Sequence, residues 1–122
     1  MEELTLTHRR LPGTTVVAVG GELDAATARG LEAFLSEVLH EGDDLVFDLT
    51  ALTFMDTSGL GVILAAGERT RRLGGRPCLA GLRGGPARVV ALTGIASAVP
   101  VYDTVDDALV TATGAAAGAM AY

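Results

Sequence analysis

The sequence predicts an α/β domain in which helices pack on a mixed β-sheet of about five strands. Short apolar runs rich in β-branched residues alternate along the chain with longer segments whose apolar residues recur at helical spacing. The first two strand-like runs flank Leu11-Pro12-Gly13, which predicts an antiparallel hairpin. Later runs alternate with helices and predict crossover connections. The expected order of elements is therefore ββαβαβαβα.

The first half of the chain predicts the hairpin, a helix and a central strand. Leu4 and Leu6 alternate with polar residues in the first strand, and residues 14–19 form the second. Asp24 stands where its carboxylate can accept hydrogen bonds from the first N–H groups of the helix. Residues 45–49 are apolar enough for a central strand. The helix between them is expected to end at Gly42 and to bury one stripe, formed by Ala28, Leu31, Leu35, Val38 and Leu39.

The second half continues the alternation after residues 50–54, which lead into a loop. The remaining expected elements are, in order, a helix from Ser58 to about Leu73, a strand at 77–82, a short helix with Pro86 at its first position and Gly94 at its end, a strand at 99–102 and a helix at 104–113. The predicted domain covers residues 1–113. Residues 114–122 are rich in Ala and Gly and are expected to form a disordered tail.

Composition excludes several classes of function. The 122 residues fit one domain, and 49% of them are apolar, which favours a globular fold. Nine basic residues against 15 acidic ones give a net charge of −6, which opposes nucleic-acid binding because that affinity depends on Lys and Arg contacts with phosphates. The single cysteine, Cys78, forms no internal disulfide and is expected to be a buried strand residue. With no signal peptide or membrane-spanning run, we expect a cytoplasmic protein with no membrane insertion.

The residues do not support an enzyme, a metal site or a bound cofactor. The two histidines, His8 and His40, are isolated, and the chain contains no lysine and hence no phosphate-binding loop of the Gly-Lys-Ser/Thr type. The hydrolase elbow places glycines two residues before and two after its serine, whereas Asp56 and Leu60 hold those positions around Ser58. An aspartic protease needs a second carboxylate loop, and the sequence has none. We therefore expect no catalytic residues.

The segment between the central strand and the second helix places a carboxylate, Asp56, and two hydroxyls, Thr57 and Ser58, at a helix N-terminus. Free N–H groups and the helix dipole favour negative charge there, so a hydroxyl in this turn could accept a phosphate. The residues alone leave two interpretations open. Ser58 is a kinase substrate, with Asp56 orienting its hydroxyl or accepting its proton, or Ser58 or Thr57 caps the helix.

Two stretches of the chain resemble a known signature. The segment from Gly21 to Thr27 and the loop Asp56-Thr57-Ser58-Gly59-Leu60 look like the corresponding segments of the anti-sigma factor antagonists, single-domain proteins of the STAS superfamily. The resemblance covers roughly residues 4–112 and implies the STAS fold. It also implies that Ser58 aligns with the serine phosphorylated in that family. Thr57 departs from the serine that is frequent at its position.

The resemblance implies a regulatory partner. The unphosphorylated chain would bind an anti-sigma factor, a serine kinase of histidine-kinase-like ATPase fold, and so release a sigma factor. Phosphorylation would end that binding, and a PP2C-type phosphatase would restore it. The free chain would be a monomer or weak dimer. The expected docking surface comprises Asp24, Asp56, Thr57, Ser58, Gly59 and Leu60.

Two alternatives accompany this interpretation. The chain could instead be a STAS scaffold or ligand-binding module of a signalling or lipid-transport complex that is never phosphorylated. Separately, Arg69, Arg71 and Arg72 gather near the end of the second helix, where positive charge suits the helix dipole. These arginines are either a solvated helix end or part of a docking site for an acidic partner.

Overall fold

The computed structural model describes residues 3–111. Within that range a mixed sheet of six strands carries helices on both faces. The elements are β1 (Thr5–Leu11), β2 (Thr14–Leu23), α1 (Ala28–Val38), β3 (Asp44–Asp48), β4 (Leu52–Met55), α2 (Thr57–Arg72), β5 (Pro77–Ala80), α3 (Gly84–Thr93), a 3₁₀ turn (Ile95–Ser97), β6 (Val101–Tyr102) and α4, which begins at residue 105 and occupies 105–111 of the described range.

The predicted hairpin and the mixed sheet are confirmed. β1 pairs antiparallel with β2, and Leu11 lies opposite Thr14 across a two-residue turn in which Gly13 has a φ of 75°. The remaining pairings are parallel, and the strand order is β1-β2-β3-β5-β6. Parallel neighbours joined by helical crossovers place the strand ends and the helix N-termini at one edge of the sheet.

The sheet contains one strand that the sequence analysis missed. β3 pairs with β2 up to Asp48, and β4 then pairs with the remaining part of the same strand, from Gly21 to Leu23. Between β3 and β4 the chain leaves the sheet because the Asp48 carboxylate accepts hydrogen bonds from the Thr50 backbone N–H at 3.1 Å and the Thr50 hydroxyl at 2.6 Å. Residues 50–54 are thus in part a strand.

Alternating side chains give the sheet two buried faces. Val17, Leu45 and Phe47 point to the face covered by α1, α2 and α3, which contains most of the core. Val16 and Val46 point to the opposite face, where Ala108 of α4 packs against them. Helices on both faces explain why the central strands are almost continuously apolar.

The boundaries of several elements differ from the prediction. α1 begins at Ala28, three residues later than expected, and α3 begins at Gly84, so Pro86 is its third residue. The fourth predicted strand ends at Ala80, and the last one is reduced to Val101–Tyr102. Gly94 ends α3 with a φ of 73°, as expected. The predicted tail at 114–122 and the domain boundary at 113 lie outside the described residues.

An ion pair joins the hairpin to the start of β3 at the edge of the sheet where β2 begins. The buried Asp43 carboxylate accepts hydrogen bonds from Arg10 Nε at 2.9 Å and from the Thr15 hydroxyl at 3.2 Å. The Arg10 hydrogen bond is the main cause that holds the pKa of Asp43 below its ordinary value of 3.8, and it outweighs the opposing effect of burial. Folding therefore favours the ionised carboxylate.

Asp43→Asn is expected to lower the free energy of unfolding at pH 7 by about 1–2 kcal/mol. This is the scale of a hydrogen bond between a buried carboxylate and a partly exposed arginine. Because the pKa of Asp43 is lower in the folded chain, its contribution is present above about pH 4 and is lost as the pH falls below that value. Urea unfolding between pH 2.5 and 7 measures both effects. The stability difference between the two proteins should shrink towards acid pH, whereas Asp103→Asn, at an exposed position, should leave the free energy of unfolding at pH 7 within about 0.5 kcal/mol of the parent.

Candidate partner-docking site

The parallel pairing of β2 with β4 brings the two predicted loops together. Glu22 lies opposite Phe54 and Leu23 lies opposite Met55, so Asp24 and Asp56 each follow directly after a paired strand end. The Asp56 N–H donates to the Leu23 carbonyl oxygen at 3.2 Å, which continues the pairing into the loops. The loops before α1 and α2 therefore form one surface at the edge of the sheet.

Asp24 organises the first loop, although it does not cap α1 directly as predicted. One of its carboxylate oxygens accepts hydrogen bonds from the N–H groups of Ala26 at 3.0 Å and Thr27 at 3.1 Å. The Thr27 hydroxyl donates to the Glu22 carbonyl oxygen at 2.9 Å, and the Ala28 N–H donates to the Asp24 carbonyl oxygen at 2.8 Å. These bonds form a turn ahead of the helix, because aspartate readily bonds the backbone two or three residues on.

Asp56 is the N-cap of α2. Its backbone is extended, with φ −108° and ψ −174°, and its carboxylate accepts a hydrogen bond from the Gly59 N–H at 3.1 Å. Neither Thr57 nor Ser58 caps α2, so the interpretation of one of these hydroxyls as the cap is wrong. Thr57 and Ser58 are instead the first two residues of the helix, and their N–H groups belong to the set that lacks partners within the helix.

The hydroxyl-bearing residues of this turn face solvent. Thr57 and Ser58 are both exposed, while Asp56 is partly buried by its cap. A group added to Ser58 would lie beside the free N–H groups and the positive end of the α2 dipole. The position therefore accommodates negative charge without disturbing the core.

The structure separates the six predicted docking residues into two groups. Asp24, Asp56, Thr57 and Ser58 have accessible atoms, whereas Gly59 and Leu60 are buried. The Leu60 side chain is 4% exposed and belongs to the main core, so it offers almost no contact area to a partner.

Position 59 requires glycine because α2 approaches β2 too closely here for a larger side chain. A Cβ atom added there would lie 2.5 Å from Cγ of Leu23 and 2.8 Å from the Leu23 carbonyl oxygen. Gly59 and Leu60 hold the helix against the sheet, and this packing fixes the position of the exposed hydroxyls.

Phe54 belongs to the same surface and was missed by the sequence analysis. Its side chain is 47% exposed on β4, two residues before Asp56. The signal was present in the sequence as an aromatic residue next to the loop. Phe54 is accessible because β4 pairs with β2 alone among the described strands and is an edge strand there, and this strand was not predicted. Phe54 therefore adds exposed apolar area beside the polar loops.

The other residues singled out by the sequence lie away from these loops. Cys78 is partly buried in β5, and burial, followed by the charge of Asp44, raises the pKa of its thiol to about 11, so the thiol is protonated at neutral pH. The exposed His8 ring contacts Phe34 edge to face, with ring centres 5.6 Å apart. Residues 3–111 contain no group of three or more His, Cys, Asp or Glu arranged to hold a metal ion.

The sequence matches a known family. The sequence model of the STAS domain matches residues 5–108. The chain belongs to the STAS domain family. Between residues 3 and 111 no helix of this STAS domain combines the length and apolarity needed to cross a bilayer.

Among its relatives, the STAS domain is 29% identical over 109 residues to an anti-sigma F factor antagonist of Paenibacillus polymyxa, a match that covers 88% of this chain and 92% of the relative. The crystal structure of an anti-sigma factor antagonist from Mycobacterium paratuberculosis is similar with a TM-score of 0.82 at 32% identity, covering 89% of this chain and 93% of that one. The phosphorylated form of SpoIIAA, a Bacillus cell fate determinant, shares the fold with a TM-score of 0.65 at 23% identity, covering 88% and 96%.

Gly59→Ala is expected to lower the free energy of unfolding by about 1–3 kcal/mol, because the added methyl group collides with a backbone oxygen that has little freedom to move. Gly61→Ala is the matched control. A Cβ at Gly61 meets no atom within 4 Å, and replacing glycine inside a helix removes a cost of about 0.5–1 kcal/mol. Urea denaturation should show that the free energy of unfolding falls in Gly59→Ala and rises in Gly61→Ala. Equal effects would contradict the close packing at Gly59.

Proposed function

We propose that this protein is an anti-sigma factor antagonist whose binding is switched off by phosphorylation of Ser58. The observation that carries the proposal is the exposed Ser58 hydroxyl at the N-terminus of α2, beside the Asp24 loop. Relatives that match over most of the chain carry the name anti-sigma factor antagonist, which supports the partner class. SpoIIAA, which has the same fold, exists in a phosphorylated form.

In this proposal the chain is a substrate and a binding protein rather than an enzyme. An anti-sigma factor with a histidine-kinase-like ATPase fold supplies ATP. The Ser58 oxygen attacks the γ-phosphorus, the bond to ADP breaks, and the phosphoryl group stays on the serine. The hydroxyl proton passes to a base of the kinase or to the neighbouring Asp56 carboxylate, whose Oδ1 accepts the Gly59 N–H.

Electrostatics supports a change in binding without a change in fold. Phosphoserine adds about −1.5 to −2 charges, and the free N–H groups of the first turn of α2 stabilise them within the domain. A partner packed on the same loops would have to remove water from the new dianion. If this costs about 3 kcal/mol of binding free energy, the affinity falls more than a hundredfold, since about 1.4 kcal/mol is a factor of ten in the dissociation constant. The acidic Asp24 and Asp56 next to Ser58 add to the negative charge that the partner meets.

The proposed cycle sets the remaining partners and the location. The unphosphorylated chain binds the anti-sigma factor and releases its sigma factor, and a PP2C-type phosphatase regenerates that form. Since sigma factors act in transcription, the cycle takes place in the cytoplasm. The docking surface consists of Asp24, Asp56, Thr57 and Ser58 with Phe54 beside them, supported from below by Gly59 and Leu60.

Incubation with the cognate anti-sigma factor and ATP should add one phosphate, measured as intact mass. Ser58→Ala should abolish the addition, whereas Thr57→Ala should retain it, because the family resemblance aligns the phosphorylated serine with Ser58. Modification of Thr57 in place of Ser58 would overturn the assignment of the acceptor. No addition with any cognate kinase would favour a STAS scaffold that is not phosphorylated.

A further inference from the structure

A groove of about 530 Å³ runs between α1 and α2 on the outer side of the helices. It exists because small side chains face each other where larger ones would close the gap, with Ala33 and Ser36 on α1 and Ala65 and Ala66 on α2. Its size falls in the range typical of binding clefts, roughly 300–1,000 Å³. The docking residues described above lie outside this groove.

The groove carries positive charge on an acidic protein. Three of the nine arginines in the sequence, all within the described residues, line it: Arg29, Arg69 and Arg72. Arg69 reaches across to the Ser36 hydroxyl, with Nη1 at 3.3 Å from Oγ. Glu32 is the acidic residue among those lining it. The groove thus favours an anionic occupant on a chain whose net charge is −6.

The fold explains part of this charge. Arg69 and Arg72 lie in the last turn of α2, where positive charge suits the helix dipole. Arg29 lies in the first turn of α1, where the same dipole opposes positive charge, and the nearest acidic residues along the chain are Asp24 before the helix and Glu32 one turn on. Within residues 3–111 neither Arg29 nor Arg72 forms a salt bridge. Both side chains are exposed and are therefore available to an anionic ligand.

The spacing of the charges indicates the shape of that ligand. The contact between Arg69 and Ser36 places these two residues at the same level of the groove, and Arg29 precedes Ser36 by about two helical turns, or roughly 10 Å. Arg72 lies about one turn beyond Arg69. Both ends of the groove are therefore basic, and the stretch between them is lined mainly by apolar residues, with Glu32 as its acidic side chain. A helix with acidic residues two or three turns apart and apolar residues between them fits this pattern.

The groove is also continuous with the docking surface proposed above. Arg29 lies four residues after Ala25 of the exposed Asp24 loop, and Val62, which lines the groove, follows Ser58 by about one helical turn. The loops and the groove are therefore within reach of one partner.

We propose that the groove between α1 and α2 binds an acidic amphipathic helix of the anti-sigma factor. The helix would lay its apolar face on the alanine-lined floor and direct carboxylates to Arg29 at one end and to Arg69 and Arg72 at the other. This inference rests on the proposed function, since it takes the same partner. It adds a second contact region that lies apart from Ser58.

The test compares two double charge reversals with the same change in net charge. Arg29→Glu with Arg72→Glu alters the groove. Arg9→Glu with Arg76→Glu is the control, because Arg9 is exposed on β1 and Arg76 is an exposed residue just before β5, paired at 3.7 Å with Asp44. Calorimetry with the unphosphorylated chain and the cognate anti-sigma factor gives the affinities. The groove variant should bind at least tenfold more weakly and lose most of its salt dependence, and the control should change less than threefold.

Three outcomes would overturn the inference. The first is a groove variant that binds like the parent, and the second is a control that is weakened as much as the groove variant. The third is dodecanoate shifting the NMR signals of Ala65 and Ala66 in the parent while the groove variant keeps the parent's affinity for the anti-sigma factor. That result would make the occupant of the groove a small amphiphile. A circular dichroism spectrum and a second groove variant, Arg29→Gln with Arg72→Gln, separate misfolding from lost contacts. If the parent itself fails to bind the anti-sigma factor, the proposed function fails instead.

Discussion

The position of the candidate site depends on one pairing, the parallel register of β4 with the end of β2. Glu22 opposite Phe54 and Leu23 opposite Met55 set two strand ends side by side, and each strand is followed at once by an aspartate. Asp24 bonds the backbone of its own loop and Asp56 caps α2, while the Asp56 N–H donates to the Leu23 carbonyl oxygen and so joins the two loops. Without this pairing the Asp24 loop and Ser58 would belong to separate parts of the surface.

Adjacent residues at the start of α2 combine buried packing with an exposed hydroxyl. Gly59 lets α2 approach Leu23, and Leu60 anchors the helix in the core, while Ser58 between the cap and this anchor remains exposed. A hydroxyl on a rigid helix end can be modified at little cost to the domain, because the core and the cap do not involve it. Regulation at such a position acts on the partner rather than on the fold.

Local patterns predicted much of this architecture, and contacts between distant segments account for what was missed. The turn at Pro12-Gly13 identified the hairpin, helical periodicity identified the buried stripe of α1 except for Leu39, which lies beyond the helix, and Gly94 identified the end of α3. β4 was missed because its four residues do not alternate regularly and form a strand through pairing with Leu23 and its neighbours. The groove could not be predicted either. Ala33 and Ala65 are common helix residues, and they line a groove only because α1 packs beside α2.

The central claim is that phosphate on Ser58 changes what binds the domain and leaves the domain itself folded. The most direct measurement is the dissociation constant for one anti-sigma factor, taken with the chain phosphorylated at Ser58 and without phosphate, together with the free energy of unfolding of both forms. We expect the phosphorylated form to bind more than a hundredfold more weakly, with a free energy of unfolding within about 1 kcal/mol of the other. Equal affinities, or weaker binding accompanied by unfolding, would contradict it.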